Sequence, residues 1–168
     1  MIPTIIILLS FLLDGILTNY LPYLVNNLSW FTPLFTLVSV FLVYPFFRKR
    51  QTKYLIICFV IGIIYDLFYT NLLFMNAILF LGVGFFSKYF WKNSYIGYIR
   101  MAVSIITIII GYELLTVALL LIGNMVPVSI EKIIYVISHS LIMNVIYSEI
   151  WLLIVNSLPK KYKKISIN

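Results

Sequence analysis

The chain has 168 residues, of which 63% are hydrophobic and only 10% are charged, and its formal net charge is +7. A water-soluble domain carries about a quarter charged residues, and such a fold could not hide this much apolar surface. The composition therefore excludes a soluble protein and predicts a single integral membrane domain over residues 1–168. In a membrane protein, the positive charge is interpreted through the positive-inside rule, which sets the orientation of the helices, and through attraction to anionic lipid headgroups, and not as a sign of nucleic-acid binding.

Successive apolar runs predict six transmembrane helices, because one crossing takes about 20 apolar residues. The start, MIPTIIILLSFLLDG, lacks a basic region and a small-residue cleavage site, so we expect a retained first span and not a signal peptide. The break LPYLVNNLSW ends this span, and the basic block RKRQTK ends the second. The next apolar stretch is divided into two short spans by a turn near Thr70 to Phe74. The predicted spans are 2–20, 31–47, 54–70, 73–87, 98–122 and 133–157.

The basic residues predict the orientation of these spans. With a cytoplasmic N-terminus, eleven of the twelve Lys and Arg residues fall on the inner side and only Lys132 falls outside, which is what the positive-inside rule requires. The eleven are Arg48, Lys49, Arg50, Lys53, Lys88, Lys92, Arg100, Lys160, Lys161, Lys163 and Lys164. The predicted fold class is an all-α integral membrane protein with six transmembrane helices and both termini in the cytoplasm.

Asp66 is the most informative acid, because an ionised carboxylate in an apolar stretch marks a site, a buried pairing or a membrane edge. It follows Lys53 by 13 residues, which places it roughly 20 Å along the helix from the cytoplasmic boundary. Gly62, Asp66 and Thr70 are spaced i, i+4, i+8 and share one helix face, with Tyr69 beside them. Small and polar residues are typical of helix contacts in bilayers, so this face is predicted to be a contact surface or a structural polar face. We expect Asp66 to cap or cross-link the hairpin between the third and fourth helices at the outer leaflet.

The same depth argument places Asp14, Glu113 and His139 in one outer layer with Asp66. We interpret them as a buried polar layer, in which His139 is a plausible partner for one acid. Three roles are open: mutual hydrogen bonding that fixes helix register, contact with a partner or ligand, and an ion pathway. The last is least favoured, because one His and scattered acids form no obvious relay. No metal or other cofactor is expected, since there is no second His and the single cysteine, Cys58, lies in an apolar run.

Motifs for catalysis are absent from the sequence: there is no HExxH, no G-x-S-x-G and no GxxxxGK[ST]. These motifs would place a metal-bound water, a nucleophile or phosphate-binding amides, and no other pattern in the chain substitutes for them. The protein is therefore predicted not to be an enzyme.

One segment resembles a known family. The sequence CFVIGIIYDLFYTNLLFMNAILFLGVGFFSKYF, residues 58–90, looks like the diagnostic segment of the rod-shape-determining MreD family, in which a G-x-x-x-D pattern precedes a Y-T-[SN]-L-L run. The matching residues are Gly62, Tyr65, Asp66, Tyr69, Thr70, Asn71, Leu72 and Leu73. A glycine usually follows the two leucines, whereas this chain has Phe74, which leaves the tightness of the turn open.

The resemblance implies a non-enzymatic scaffold subunit of the bacterial cell-elongation complex, located in the cytoplasmic membrane and without a cofactor. Members of the family act with the bitopic protein MreC, and through it with RodA, a class B penicillin-binding protein and the cytoskeletal protein MreB, to organise peptidoglycan synthesis and cell shape. Besides MreC, the expected contacts are membrane lipids and no nucleic acid, and homodimerisation is left open. The Gly62/Asp66/Thr70 face leads to the hypothesis that the hairpin of helices three and four shapes a groove for a partner's transmembrane helix.

The resemblance also supplies an alternative function. The family's bundle is similar to the substrate-binding subunits of energy-coupling-factor vitamin transporters, which are small six-helix proteins with basic inner loops. Those subunits dock through a small-xxx-small stripe on the first helix, whereas here only Ser10 and Gly15 are small among bulky Ile and Leu residues. A further alternative is a lipid- or small-molecule-binding carrier, with a pocket lined by Asp14, Asp66, Glu113 and His139.

Overall fold

The computed structural model describes residues 2–24, 33–69, 74–91, 98–123 and 130–157, which form six α-helices. In chain order they are α1 (Ile2–Leu24), α2 (Phe35–Phe47), α3 (Gln51–Tyr69), α4 (Met75–Phe90), α5 (Tyr98–Ile122) and α6 (Ile130–Ser157). Consecutive helices pack as the pairs α1/α2, α3/α4 and α5/α6.

Three described segments are long and apolar enough to cross a membrane: Pro3–Tyr20 in α1, Gln51–Tyr69 in α3 and Ile99–Leu119 in α5. The apolar segments Phe35–Phe47 and Met75–Phe90 are shorter, as is Ser140–Ile154 in α6. An all-helical chain with this composition is a membrane protein, as the sequence predicts.

The helix ends differ from the predicted spans by a few residues. α1 continues to Leu24 instead of ending at 20, since Pro22 lies in its last turn and removes only one backbone hydrogen bond there. α2 begins at Phe35 instead of 31, because side chains from other helices bind the backbone N–H groups at this point. α6 begins at Ile130, three residues before its predicted span.

The centre of the bundle is α2. Every residue from Pro33 to Pro45 is buried, and α2 packs against α1, α3, α4 and α6. Its sequence, FTLVSVFLVYPFF, is apolar on all sides, which is typical of a fully enclosed helix. With 13 residues, α2 is only about 20 Å long against a hydrocarbon core of about 30 Å. The start of α2 is enclosed by the surrounding helices, whereas Phe46 and Phe47 at its end are half-buried.

Pro45, inside α2, leaves a backbone acceptor open, and a side chain of another segment fills it. A proline donates no N–H bond, so the carbonyl four residues earlier, that of Phe41, loses its helical donor. The buried Trp91 indole Nε1–H donates to that Phe41 oxygen at 3.0 Å. The Arg48 guanidinium in turn donates to the Trp91 carbonyl, which connects the end of α2 to the end of α4.

The α3/α4 hairpin is closely packed because small residues face each other across it. A Cβ on Gly62 would lie 2.4 Å from the Ala77 Cα and 2.7 Å from the Asn76 carbonyl oxygen. Further along the pair, a Cβ on Gly84 would lie 3.0 Å from the Cys58 Sγ. Gly62 is therefore required by the approach of the α4 backbone, since no larger residue fits without moving one helix.

Gly62→Ala is predicted to destabilise the protein by about 1–3 kcal/mol, the range for overpacking a closely packed contact. Gly82→Ala in α4 is the matched control, because a Cβ there has no neighbour within 4 Å. In the control, the higher helix propensity of alanine is expected to leave stability unchanged or to raise it by up to about 1 kcal/mol.

Thermal unfolding in detergent can be followed by thiol labelling of Cys58, which is fully buried in the folded protein. Equal unfolding midpoints for the Gly62→Ala and Gly82→Ala proteins would contradict the close packing of α3 and α4.

Candidate functional site

Asp14, in the second half of α1, holds the start of α2. Its Oδ1 accepts the Phe35 backbone N–H at 2.7 Å, and its Oδ2 accepts the Thr36 backbone N–H at 2.8 Å and the Thr36 hydroxyl at 2.6 Å. Leu34, the residue before α2, makes no capping bond with its own side chain. Asp14 therefore supplies the N-cap from a neighbouring helix, and its charge also complements the positive end of the helix dipole.

A second polar side chain supports the same helix start from the other side. The Asn144 side-chain oxygen, on α6, accepts the Leu34 backbone N–H at 2.8 Å. Nearby, the hydroxyls of Ser10 on α1 and Tyr147 on α6 are 2.5 Å apart. The first turn of α2 is thus bonded by side chains from α1 and α6, both of them buried.

Asp66, in α3, holds the start of α4 in the same way. Its Oδ1 accepts the Asn76 backbone N–H at 3.1 Å and the Asn76 side-chain amide at 2.8 Å. Its Oδ2 accepts the Ala77 backbone N–H at 3.3 Å. Phe74, before α4, again makes no side-chain capping bond. The acid that the sequence singles out is therefore fully buried and caps the next helix.

The α4 cap extends into α5 through a hydrogen bond. Tyr112 on α5 donates its hydroxyl proton to the Asn76 side-chain oxygen at 2.5 Å, while the Asn76 amide donates to Asp66. The chain Asp66–Asn76–Tyr112 thus connects three helices, and each partner is buried. This chain fixes α3, α4 and α5 relative to one another at one level of the bundle.

The two capped helices are the shortest of the six described, with 13 residues in α2 and 16 in α4. The residues at the two helix starts, Phe35 and Thr36 of α2 and Asn76 and Ala77 of α4, are buried, so water does not reach their backbone N–H groups. An unpaired backbone group there costs several kcal/mol. The preceding long helix supplies a carboxylate in each case, and the N–H donors at the same time compensate the buried charge.

The predicted polar face of α3 turns inward. Gly62 and Asp66 contact α4 of the same chain, and Tyr65 is also buried. Tyr69 reaches α1, where its hydroxyl donates to the Phe11 carbonyl at 2.7 Å. The last two predicted residues of the face, Thr70 and Asn71, lie outside the described residues.

The predicted polar layer divides into separate groups. Asp14 binds the start of α2 and Asp66 binds the start of α4. Glu113 on α5 is 8% exposed and has no hydrogen-bond partner among the described residues. His139 lies in α6, and its side chain is outside the described part of the structure. Within the described residues, no group of three His, Cys, Asp or Glu side chains could hold a metal ion.

Sequence reasoning missed Thr36, Asn76, Tyr112 and Asn144, the residues that complete the two caps. The available signal was weak: Asn76 and Asn144 are single amides inside long apolar runs, where an unpaired polar group is costly and a partner is to be expected. The order of the chain did not indicate which helix Asn144 would meet, because it lies 110 positions from its partner Leu34.

Asp66→Ala is predicted to lower the free energy of unfolding by at least about 2 kcal/mol, because three donors at the α4 start lose a charged acceptor. Asp14→Ala should act similarly through α2. Glu113→Gln is the control, since this buried acid has no described partner and its neutral amide should be tolerated or stabilising. The unfolding midpoint from Cys58 labelling measures all three, and an Asp66→Ala midpoint equal to that of Glu113→Gln would refute the capping role.

The backbone conformation at Phe74 explains why a glycine usually occupies this position in the family motif. Its backbone is left-handed, with φ 68° and ψ −3°, a conformation that favours glycine. The usual glycine of the motif thus corresponds to a position where the chain turns sharply into α4. Phenylalanine adopts the same turn at a conformational cost of roughly 1–2 kcal/mol.

Phe74→Gly is therefore predicted to raise stability by about 1 kcal/mol. Phe85→Gly in α4 is a matched control, because both side chains are 55% exposed. Glycine inside a helix should instead lower stability by about 1 kcal/mol. Opposite shifts of the unfolding midpoint are expected, and a loss of stability in both variants would show that the left-handed turn is not strained.

Comparison with known proteins gives one family. A family model described as rod shape-determining protein MreD matches residues 1–162, which confirms the resemblance seen in residues 58–90. No curated protein and no solved structure matches the chain, so the likeness of the bundle to energy-coupling-factor subunits stays a prediction.

Proposed function

This chain belongs to the MreD family of rod shape-determining proteins, and we propose that it is a non-enzymatic membrane scaffold subunit of the bacterial cell-elongation complex. In this proposal it binds MreC and helps to organise peptidoglycan synthesis, with RodA, a class B penicillin-binding protein and MreB as indirect partners. Family membership indicates the role in rod shape determination, and the arrangement of the buried acids is the observation that supports a scaffold.

The two buried aspartates are occupied by structural bonds. Asp14 accepts three hydrogen bonds from α2, and Asp66 accepts three from α4. Carboxylates bonded in this way are poorly suited to proton transfer or to ligand capture, because three of their roughly four acceptor sites already face fixed donors. They hold helices in place, which is the property that a scaffold needs. The same bonds argue against a carrier whose pocket these acids would line.

We further propose that all six helices cross the bacterial cytoplasmic membrane, with both termini in the cytoplasm. The basic residues support this orientation, since eleven of twelve fall on one side of the layout. The exposed apolar faces support the multi-pass arrangement, as illustrated by Leu8 on α1, Phe68 on α3 and Ile99 on α5, which are 61%, 71% and 83% exposed. Such faces are compatible with lipid and with partner helices, not with water.

For the MreC contact, we propose the groove between α4 and α5 in place of the inward Gly62/Asp66 face. This groove has a volume of about 600 Å³ up to its open side. Gly82 of α4 and Gly111 of α5 line it, and a Cβ on either glycine would meet nothing within 4 Å. Internal packing thus gives no reason for either glycine, whereas a closely approaching partner helix would.

Gly82→Leu and Gly111→Leu should keep the thermal stability of the protein, because the added side chains enter open space, but should reduce recovery of MreC by tenfold or more, which is about 1.4 kcal/mol of binding free energy. The measurement is affinity purification from native membranes in mild detergent, with co-purifying proteins identified by mass spectrometry. Val60→Phe, on an exposed face of α3, is the control for added bulk.

The purification also separates the proposals. Recovery of MreC with the unaltered chain and its loss with both glycine variants would support the scaffold and the groove together. Full recovery with both variants would refute the groove while leaving MreC binding intact. Recovery of paired ATPases with a membrane coupling protein, and no MreC, would overturn the scaffold in favour of vitamin transport.

A further inference from the structure

A second groove lies between α1 and α3 and differs in character from the α4/α5 groove. It has a volume of about 830 Å³ up to its open side and is almost wholly apolar. Bulky side chains line it, including Leu8 and Phe11 of α1 and Ile57, Ile61 and Ile64 of α3. Phe47, the last residue of α2, completes the wall.

Phe47 also lines a neighbouring surface pocket formed by residues 45–50, which includes Arg48, Lys49 and Arg50. All three basic residues are exposed. The apolar groove and the basic pocket therefore meet at a single side chain. The Arg48 guanidinium donates to the Trp91 carbonyl, which anchors the basic turn to the end of α4.

The electrostatics around this turn favour an anion. α3 begins directly after the turn and has no acidic residue in its first turn. Asp14 and Asp66, the acids described above, are committed to the starts of α2 and α4. The first N–H groups of a helix and adjacent basic side chains both attract phosphate, and basic clusters at the end of membrane helices bind anionic headgroups.

We propose that this combined surface binds one anionic phospholipid, with an acyl chain in the α1/α3 groove and the phosphate on Lys49 and Arg50. The lining favours a lipid chain over a helix, because no glycine is available for close approach of a backbone. The glycines of α1 and α3 are already covered, Gly15 by the Tyr69 side chain and Gly62 by α4. A flexible acyl chain fits between branched side chains without such a requirement. This inference is independent of the proposed contact with MreC.

The test uses the full-length protein, stripped of lipid and incubated with mixed micelles of phosphatidylglycerol and phosphatidylcholine. Native mass spectrometry then counts the lipids that each variant retains. Lys49→Gln combined with Arg50→Gln should reduce phosphatidylglycerol retention roughly thirtyfold, given the usual contribution of two basic residues near anionic lipid. Arg48 is left unchanged because it bonds Trp91.

Two further variants test whether headgroup and chain bind at one place. Lys88→Gln combined with Arg100→Gln removes the same charge from exposed positions elsewhere and should leave retention unchanged. Ile61→Trp fills the groove and should abolish retention of phosphatidylglycerol. Leu8→Trp, at a position that is 61% exposed, gives the same test if the Ile61 variant does not fold.

Four results would overturn the proposal. Unchanged preference for phosphatidylglycerol in the Lys49/Arg50 variant would exclude the headgroup site. An equal loss in the Lys88/Arg100 control would show diffuse attraction only. Retention of phosphatidylglycerol by folded groove-filling variants would exclude the acyl-chain site. If those variants also lost co-purifying MreC, the groove would be a helix-docking surface instead.

Discussion

The bundle depends on how two short helices, α2 and α4, begin. Their first N–H groups belong to buried residues that water does not reach, so each needs an acceptor inside the protein. In each case an aspartate on the preceding helix accepts those N–H groups, Asp14 for α2 and Asp66 for α4. The carboxylate and the helix start satisfy each other's hydrogen bonding, because a buried charge needs donors and the buried N–H groups need an acceptor. Removing either partner leaves the other unpaired at high cost.

These caps connect more than two neighbours. Asn144 of α6 accepts a backbone N–H at the start of α2, beside those that Asp14 accepts. Asn76, which is bonded to Asp66, also accepts a hydrogen bond from Tyr112 of α5. The central helix α2 is thereby positioned by α1 and α6 at its start, while the Trp91 indole binds its Phe41 carbonyl. Polar bonds to α2 at its start and at Phe41 specify which helices meet, which apolar packing alone specifies weakly in a bilayer. A bundle fixed in this manner suits a protein that positions partners.

Composition and charge predicted the class of protein and its helices well. Both depend on local properties of the sequence, namely the length of each apolar run and the positions of the charged residues between the runs. Asp66 could be identified as important, and the spacing of Gly62 indicated a close helix contact. A role of Asp66 in the hairpin of α3 and α4 could be predicted, but not the particular N–H groups that it accepts, since these depend on the path of the chain into α4. The Asp14–Thr36 hydrogen bond was missed because it depends on the path of the chain from α1 into α2. The left-handed turn at Phe74 was indicated only by the phenylalanine that replaces the usual glycine.

The capping role can be measured directly by hydrogen–deuterium exchange of backbone amides in the detergent-solubilised protein, at a temperature where each variant remains folded. In the unaltered chain, the amides of Phe35 and Thr36 and those of Asn76 and Ala77 should be protected. Asp14→Ala should accelerate exchange at the start of α2 and leave the start of α4 protected, whereas Asp66→Ala should do the reverse. Protection that persists at both helix starts in both variants would contradict the account.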